Sequence, residues 1–272
     1  MESTTALPDT APLLALARDI AVACGRLIHA ERPEHLGVAA TKSSPVDVVT
    51  VMDRRSEELA SSLVRAARPD DGLLGEEGAY NEGTTGISWL IDPIDGTVNY
   101  LYGVPEYSVS VAAVLGDPRG AFRPIAGCVY QPDHDELFFA TADGPAVGVL
   151  AGHEHVLRAE PAADLGQTLV ATGFSYRAEV RAEQAEILTR VLPAVRDIRR
   201  HGSAALELCS VALGRHDAYY ERGLNPWDMA AGWLIADRAG VTVRGRDGAL
   251  PGKDLLLAGR PEILDALERL IG

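Results

Sequence analysis

Cysteine is scarce in this chain of 272 residues, and the three present, Cys24, Cys128 and Cys209, lie far apart with no C-x-x-C pair. An odd, scattered set makes neither a disulfide framework nor a zinc cluster, and it suits a reducing compartment. Long apolar runs are missing too. None approaches the roughly 20 residues needed to span a bilayer, and the N-terminus has no basic stretch leading into an apolar one. A cytoplasmic protein without membrane contact is expected. Positive charge is also short: 25 Lys and Arg against 39 Asp and Glu leave a net charge of −14. That is the wrong sign for reading a phosphate backbone or docking on anionic lipid, so nucleic acid is not an expected partner. Repeats and long linkers are absent as well, so the halves of the chain should pack as one unit.

What the chain does have is a large apolar fraction, 47%, enough for a sizeable core. One apolar run, Trp89-Leu90-Ile91, ends abruptly in Asp92-Pro93-Ile94-Asp95-Gly96-Thr97. Ile87 to Ile91 reads as a buried strand, and Pro93 is expected to stop the ladder and turn the chain. Both acids then sit at a strand end. Gly96 permits a positive φ or a close backbone approach, and Thr97 brings a hydroxyl beside free N–H groups at a helix start. Carboxylates that hold hard cations, next to N–H groups that hold an anion, describe a metal-dependent phosphate site. For an isolated D-x-x-D-G an acidic turn with a helix cap is the better account. The overall charge argues for metals, because a protein this acidic repels a phosphorylated substrate unless bound cations reverse the field locally.

Around that stretch the pattern changes along the chain. Leu13, Leu16, Ala17, Ile20, Ala23, Cys24, Leu27 and Ile28 recur at three and four, which predicts an amphipathic helix from Pro12 to about Arg32, ended by Pro33. A second helix is predicted from Asp53, its N-cap, to about Ala67. Strand-like runs at 107–115, 125–130, 136–141, 146–150 and 155–157, separated by Gly, Pro and Asp, predict an antiparallel meander. His153 and His155 have no third ligand nearby and read as surface-strand residues. Beyond Asp164 strands alternate with helices: strands at 169–172, 198, 217–221, 241–243 and 255–258, helices at 178–191, 203–213, 226–239 and 262–271. Pro226 suits a first helical turn, and it places Asp228 at the positive end of the helix dipole.

The string Asp92-Pro93-Ile94-Asp95-Gly96-Thr97-Val98-Asn99 resembles the first signature of the inositol monophosphatase family, the magnesium-dependent, lithium-sensitive phosphomonoesterases. A second string, Trp227-Asp228 followed by Ala230, Ala231 and Gly240, stands where that family has its second signature. The likeness runs from about Leu13 to Gly259, with one departure at Gly240-Val241, where many members carry two glycines. It implies a mixed α and β fold, a layered α-β-α-β-α sandwich. Residues 1–150 would give a helix pair and an antiparallel sheet carrying the metal motif, and residues 151–272 a βα-type half that completes the site.

The resemblance also implies roles for residues. Glu76, Asp92, the Ile94 carbonyl, Asp95 and Asp228 would be metal ligands, with Glu77 outside that set. An all-oxygen set of this kind fits Mg²⁺ or Mn²⁺ rather than Zn²⁺, and two or three Mg²⁺ per site are implied, with Mn²⁺ able to substitute. Thr97, Asp53 and Glu76 would be catalytic, Asp53 and Thr97 positioning the attacking water. Asp95, Gly96, Thr97, Gly202, Ser203, Ala204, Glu221 and Asp228 would contact substrate, Glu221 through sugar or inositol hydroxyls. Lys42 would add charge nearby, and His201 reads as structural. Val98 and Tyr100 favour an inositol phosphatase over the histidinol-phosphate branch, which usually has Lys at the first of these positions. The expected substrate is therefore myo-inositol monophosphate. Histidinol phosphate, another sugar phosphate, fructose 1,6-bisphosphate and a nucleotide 3′-phosphate are the alternatives, with a non-catalytic regulator behind them. A homodimer is implied.

Overall fold

The structure is a computed structural model and describes residues 7–34, 37–41, 48–160, 162 and 164–272. Two helices open the chain. Helix α1 (Ala11–Ala30) buries Leu13, Ala17, Ile20, Ala21, Cys24 and Ile28 along one stripe, as its spacing predicts. Short strands β1 (Ala40–Thr41) and β2 (Val48–Val49) pair antiparallel and lead into α2 (Val51–Ala67). Asp53 is not the cap of α2. Thr50 caps it, and Asp53, three residues on, closes a capping box by accepting the Thr50 backbone N–H at 2.7 Å.

An eight-stranded sheet follows, with strands β3 (Gly72–Gly75), β4 (Tyr80–Asn81), β5 (Ile87–Asp95), β6 (Ser108–Gly116), β7 (Phe122–Gln131), β8 (Glu136–Thr141), β9 (Val147–Leu150) and β10 (His153–Val156). Their order is β10-β9-β8-β7-β6-β5-β3-β4, antiparallel throughout except that β3 runs parallel to β5. Helix α3 (Thr97–Tyr102) interrupts the sequence of strands between β5 and β6. Pro93 breaks the ladder without ending the strand. Asp92 pairs with Ser110, the register slips, and pairing resumes at Asp95 opposite Ser108, so both carboxylates belong to the strand and a bulge lies between them.

The rest of the chain forms β11 (Leu169–Thr172), α4 (Ala178–Val191), β12 (Asp197–Arg199), α5 (Ala204–Leu213), β13 (Ala218–Glu221), α6 (Pro226–Arg238), β14 (Thr242–Arg244), β15 (Leu256–Gly259) and α7 (Pro261–Ile271). Its five-stranded sheet has the order β12-β11-β13-β15-β14, parallel at β12, β11 and β13 and antiparallel from β13 through β15 to β14.

Three apolar clusters separate the layers. Alternation along β5 sends Trp89 and Ile91 into a core shared with α1 and α2, while Leu90 faces the opposite way, into a core shared with α5 and α6. The five-stranded sheet contributes Tyr219, Leu256 and Ala258 to that second core, and Val170, Tyr220 and Leu257 to a third core with α4 and α7. The layers are thus α1/α2, the large sheet, α5/α6, the small sheet and α4/α7. Helices α5 and α6 are enclosed on both sides, which is why their buried positions include Ala204, Ala205, Ala212, Ala230, Ala231, Gly232 and Ala236 rather than a single stripe of large residues.

Candidate active site

The C-terminal end of β5 opens into a cavity of about 550 Å³ lined by Glu76, Asp92, Ile94, Asp95, Gly96, Thr97, Gly202, Ser203, Ala204, Glu221 and Asp228, among others. The site residues read from the sequence therefore share one pocket, apart from Asp53, which stands behind Thr97. Lys42 lies outside the described residues. His153 and His155 are exposed on β10.

Each acid is placed by local structure. The Asp92 carboxylate turns back to accept the Ile94 N–H at 3.1 Å, across the bulge that Pro93 creates. Asp95 reaches across to α5, where its Oδ2 accepts the Ser203 hydroxyl at 2.6 Å and the Ala205 N–H at 2.7 Å. Ser203 is itself the N-cap of α5, its Oγ accepting the Leu206 N–H at 3.2 Å. Asp228 occupies the third position of α6, and its Oδ2 accepts the Asn225 N–H at 2.7 Å. Glu76 follows β3, with its N–H on the Ile91 carbonyl at 3.2 Å. Buried Glu57 holds the turn after it by accepting the N–H groups of Glu77 and Ala79 at 2.7 and 2.8 Å.

Gly96 carries a φ of 95°, and a Cβ there would meet the Glu106 carbonyl at 2.9 Å, so the turn from β5 into α3 requires glycine on both counts. Thr97 then starts the helix with its Oγ1 3.0 Å from both Asp53 Oδ1 and the Ile94 carbonyl. One hydroxyl proton serves one acceptor at a time. Burial pushes the Asp53 carboxyl up to about 6, which leaves it mostly ionised near neutral pH and basic enough to take up a proton. At the other wall Glu221 receives the Tyr219 hydroxyl and packs so closely on Gly173 that a Cβ there would collide with its carboxylate.

The electrostatics of the pocket floor are those of crowded negative charge. Asp92 is raised well above the usual carboxylate range by burial and by the charges of Glu76, Asp95 and Asp228. Burial and the charges of Glu76 and Asp95 raise Asp228 likewise. Burial lifts Asp95 to about 7 in spite of its bonds to Ser203 and Ala205, with Glu76 adding to the rise. Glu221 is also lifted to about 7, first by burial. Carboxylates ordinarily avoid such company, and a bound cation removes the conflict. The donors are all oxygen, which fits a hard divalent ion such as Mg²⁺. On the outer wall Arg177, Arg200, Arg222 and Lys253 add positive charge.

Several supports of this pocket were not legible in the sequence. Glu57 and Tyr219 act through the fold and carry no local signal. Asn99, whose Nδ2 donates to the carbonyls of both Glu106 and His201 at 2.6 Å, ties the start of α3 to the turn before α5. Behind that turn, His201, Glu207 and His216 bring one ligand atom each within 4.8 Å of one another and could chelate a divalent metal. Their spacings of six and nine residues match no familiar ligand pattern.

The chain resembles known proteins along nearly its whole length. The profile described as "Inositol monophosphatase family" matches residues 9–270. Inositol-1-monophosphatase SuhB of Mycobacterium tuberculosis (strain ATCC 25618 / H37Rv) is 39% identical over 97% of each chain. The Nus factor SuhB of Xylella fastidiosa is also 39% identical, over 90% of this chain and 88% of that protein. Among solved structures, the extragenic suppressor protein suhB of Bartonella henselae superposes with a TM-score of 0.86 at 31% identity, covering 96% of this chain and 98% of that one.

Proposed function

Since the chain belongs to the inositol monophosphatase family and is a hydrolase of phosphate monoesters, we propose that it hydrolyses myo-inositol monophosphate to inositol and phosphate at the end of β5. The observation that carries this reading is the convergence of Glu76, Asp92, Asp95, Asp228 and the Ile94 carbonyl on one cavity, with burial and mutual repulsion raising Asp92, Asp95 and Asp228. These groups would hold Mg²⁺, two or three ions per site. When bound, the metal neutralises charge on the phosphoryl group and leaving oxygen and lowers the pKa of coordinated water.

The chain's own residues do the rest. Thr97 and Asp53, 3.0 Å apart, form a proton-sharing pair that orients the attacking water and accepts its proton. The N–H groups around Gly96 and Thr97 face the phosphate oxygens. Arg200, Arg222 and Lys253 attract the substrate anion into an otherwise acidic protein. Glu221, held by the Tyr219 hydroxyl, accepts hydroxyls of a polyol, which favours inositol over an apolar ester. Ser203 positions Asp95, and the turn 202–204 lies against the substrate.

Phosphate release from a panel of monoesters, with and without Mg²⁺, tests the proposal. Inositol 1-phosphate should be turned over fastest and only with metal. Faster hydrolysis of histidinol phosphate, fructose 1,6-bisphosphate or a nucleotide 3′-phosphate would reassign the substrate. We further place the protein in the cytosol as a homodimer. The three buried thiols support the first assignment, and among the described residues no helix is long and apolar enough to cross a membrane. The second rests on family likeness and is checked by size-exclusion chromatography with light scattering.

A further inference from the structure

We propose that His201, Glu207 and His216 form a second metal site, one that takes a borderline transition ion such as Zn²⁺ or Co²⁺ rather than Mg²⁺. The inference is independent of the substrate and of the carboxylate cage at the end of β5.

The first ground is convergence. His201 Nδ1 lies 3.2 Å from Glu207 Oε1, and His216 Nδ1 lies 3.1 Å from Glu207 Oε2. A tetrahedral ion with bonds of about 2.0–2.1 Å sets its ligand atoms about 3.3 Å apart, so each histidine nitrogen stands near that spacing from the Glu207 carboxylate, and all three donors lie within 4.8 Å of one another. The second ground is an unsatisfied atom. The His216 side chain is only 5% exposed, and its Nδ1, 3.1 Å from Glu207 Oε2, makes no well-aligned hydrogen bond among the described residues. A buried ring nitrogen without a hydrogen bond is uncommon and wants an explanation, and a shared ion supplies one. The third ground is donor chemistry. Two imidazole nitrogens and one carboxylate suit Zn²⁺, Co²⁺ or Ni²⁺, whereas Mg²⁺ prefers an oxygen shell.

The scaffold is in place for such a site. Glu207 is 2% exposed on α5, and its Oε1 accepts the His201 N–H at 2.8 Å, which fixes carboxylate and turn relative to one another. His216 follows the left-handed Gly214 that ends α5, and its own N–H reaches back to the Ser210 carbonyl at 3.3 Å. The two imidazole rings lie nearly parallel, 11° apart with centroids at 5.1 Å. Binding therefore requires one ring to turn about its χ2 bond, and His201, whose side chain is 37% exposed, has solvent on one side to turn into once its contact with Glu207 is replaced by the ion. The same exposure supplies an entry path and an open position for water or an added ligand.

An ion held here would pin the turn between β12 and α5. The carbonyl of His201 is bound by Asn99, and two residues on, Ser203 holds Asp95. The second site thus adjoins the phosphatase pocket, whose wall includes Glu207 itself, and filling it stiffens the segment that orients Asp95.

Co²⁺ is the probe, titrated into metal-stripped full-length protein with excess Mg²⁺ present to occupy the oxygen-only cage. A four-coordinate Co²⁺ with nitrogen ligands absorbs far more strongly in the visible than a six-coordinate, oxygen-bound ion, because it lacks a centre of symmetry. The expected result is a strong band that saturates at one equivalent and is discharged by Zn²⁺. Asp228→Asn should leave it unchanged, and His201→Ala and His216→Ala should each weaken the binding at least about tenfold. Zn²⁺ should also raise the melting temperature of the wild type more than that of His201→Ala. The exposed position of His201 keeps this variant folded even if loss of the buried His216 ring does not. Absence of the band, its survival in both histidine variants, or its loss in Asp228→Asn would overturn the proposal.

Discussion

Replacing Asp95 with Asn separates a cation ligand from a structural turn residue, because the two roles predict opposite changes in stability. The isosteric amide keeps an oxygen where Oδ2 receives Ser203 and Ala205. What it loses is the charge in those two hydrogen bonds, a difference of about 1 kcal/mol each. Against that about 2 kcal/mol stands the repulsion removed. Burial and Glu76 lift the Asp95 carboxyl from 3.8 to about 7. A folded-state value above the unfolded one makes ionisation unfavourable to folding, so stability of the metal-free protein falls as pH rises from about 4 to 7. At pH 7 and above that penalty reaches about 4 kcal/mol at 1.36 kcal/mol per unit. Because the lifted value already includes the bonds from Ser203 and Ala205, they are not subtracted again, and the balance favours Asn by about 4 kcal/mol, or about 8 °C at roughly 2 °C per kcal/mol for a chain of this size.

Magnesium should narrow the gap. At a concentration a hundred times its dissociation constant a ligand stabilises by about 2.7 kcal/mol, and a thirtyfold loss of affinity cuts this to about 0.9 kcal/mol. The wild type should gain about 5 °C and the variant about 2 °C. Thermal unfolding followed by circular dichroism at pH 7.5–8, in chelator and over a Mg²⁺ series, measures both shifts. Phosphate release should fall by several orders of magnitude. A variant that melts lower in chelator, keeps the full Mg²⁺ shift and remains active would refute the reasoning and return Asp95 to the role of a turn residue.

Chelator in excess should abolish turnover by the wild type and added Mg²⁺ restore it, while lithium inhibits by occupying a cation position; steady phosphate release in the presence of chelator would contradict this. Glu221→Gln should raise KM for inositol monophosphate and barely alter hydrolysis of an aryl phosphate, because a charge-assisted bond to a hydroxyl is weakened while the shape is kept; equal losses on both would move Glu221 into the chemistry. Asp71 supplies a pH prediction remote from the pocket: burial alone would raise it, but bonds from Arg68 Nε at 2.8 Å, Thr85 Oγ1 at 2.7 Å and Trp89 Nε1 at 3.0 Å hold it below 3.8. Its depressed value means that it stabilises the fold above about pH 4 and that this contribution drains away as pH falls further. Acid unfolding of Asp71→Asn should therefore show a smaller loss of stability below pH 4 than the wild type, from a lower starting stability at pH 7.

The sequence was most legible where chemistry and chain order coincide. Asp92, Asp95, Gly96 and Thr97 are contiguous, and a strand ending in acids with a glycine turn announces itself. The periodicity of α1 and the meander from β6 to β9 were likewise readable, because burial on one face leaves a regular imprint. Pro93 misled, since a bulge allows a proline inside a strand, and the expected turn is a two-residue lapse in pairing. Asp53 misled about helix position, because a capping box puts an acid three residues into the helix and leaves Thr50 at its start. Glu57, Tyr219 and His216 left no trace in the pattern. Each acts on a partner brought near by tertiary packing, and single residues at irregular separations have no period to detect.

The doubly enclosed layer of α5 and α6 also bears on how the protein is made. Synthesis runs from the N-terminus, and when β10 has emerged the large sheet is complete with α1 and α2 on one side. Its other side, with Leu90, Ala112, Val114, Val129 and Phe138, waits for partners that lie beyond residue 203. For the time a ribosome at about 5–20 residues per second needs to reach α6, that apolar face is bare. Ser203 and Asp228 arrive with the same two helices, so the nascent chain covers its exposed face and finishes its pocket in one event. A truncated or stalled chain therefore carries both a sticky sheet and an incomplete set of carboxylates, and chaperone capture of ribosome-arrested chains should drop abruptly once α6 clears the exit tunnel.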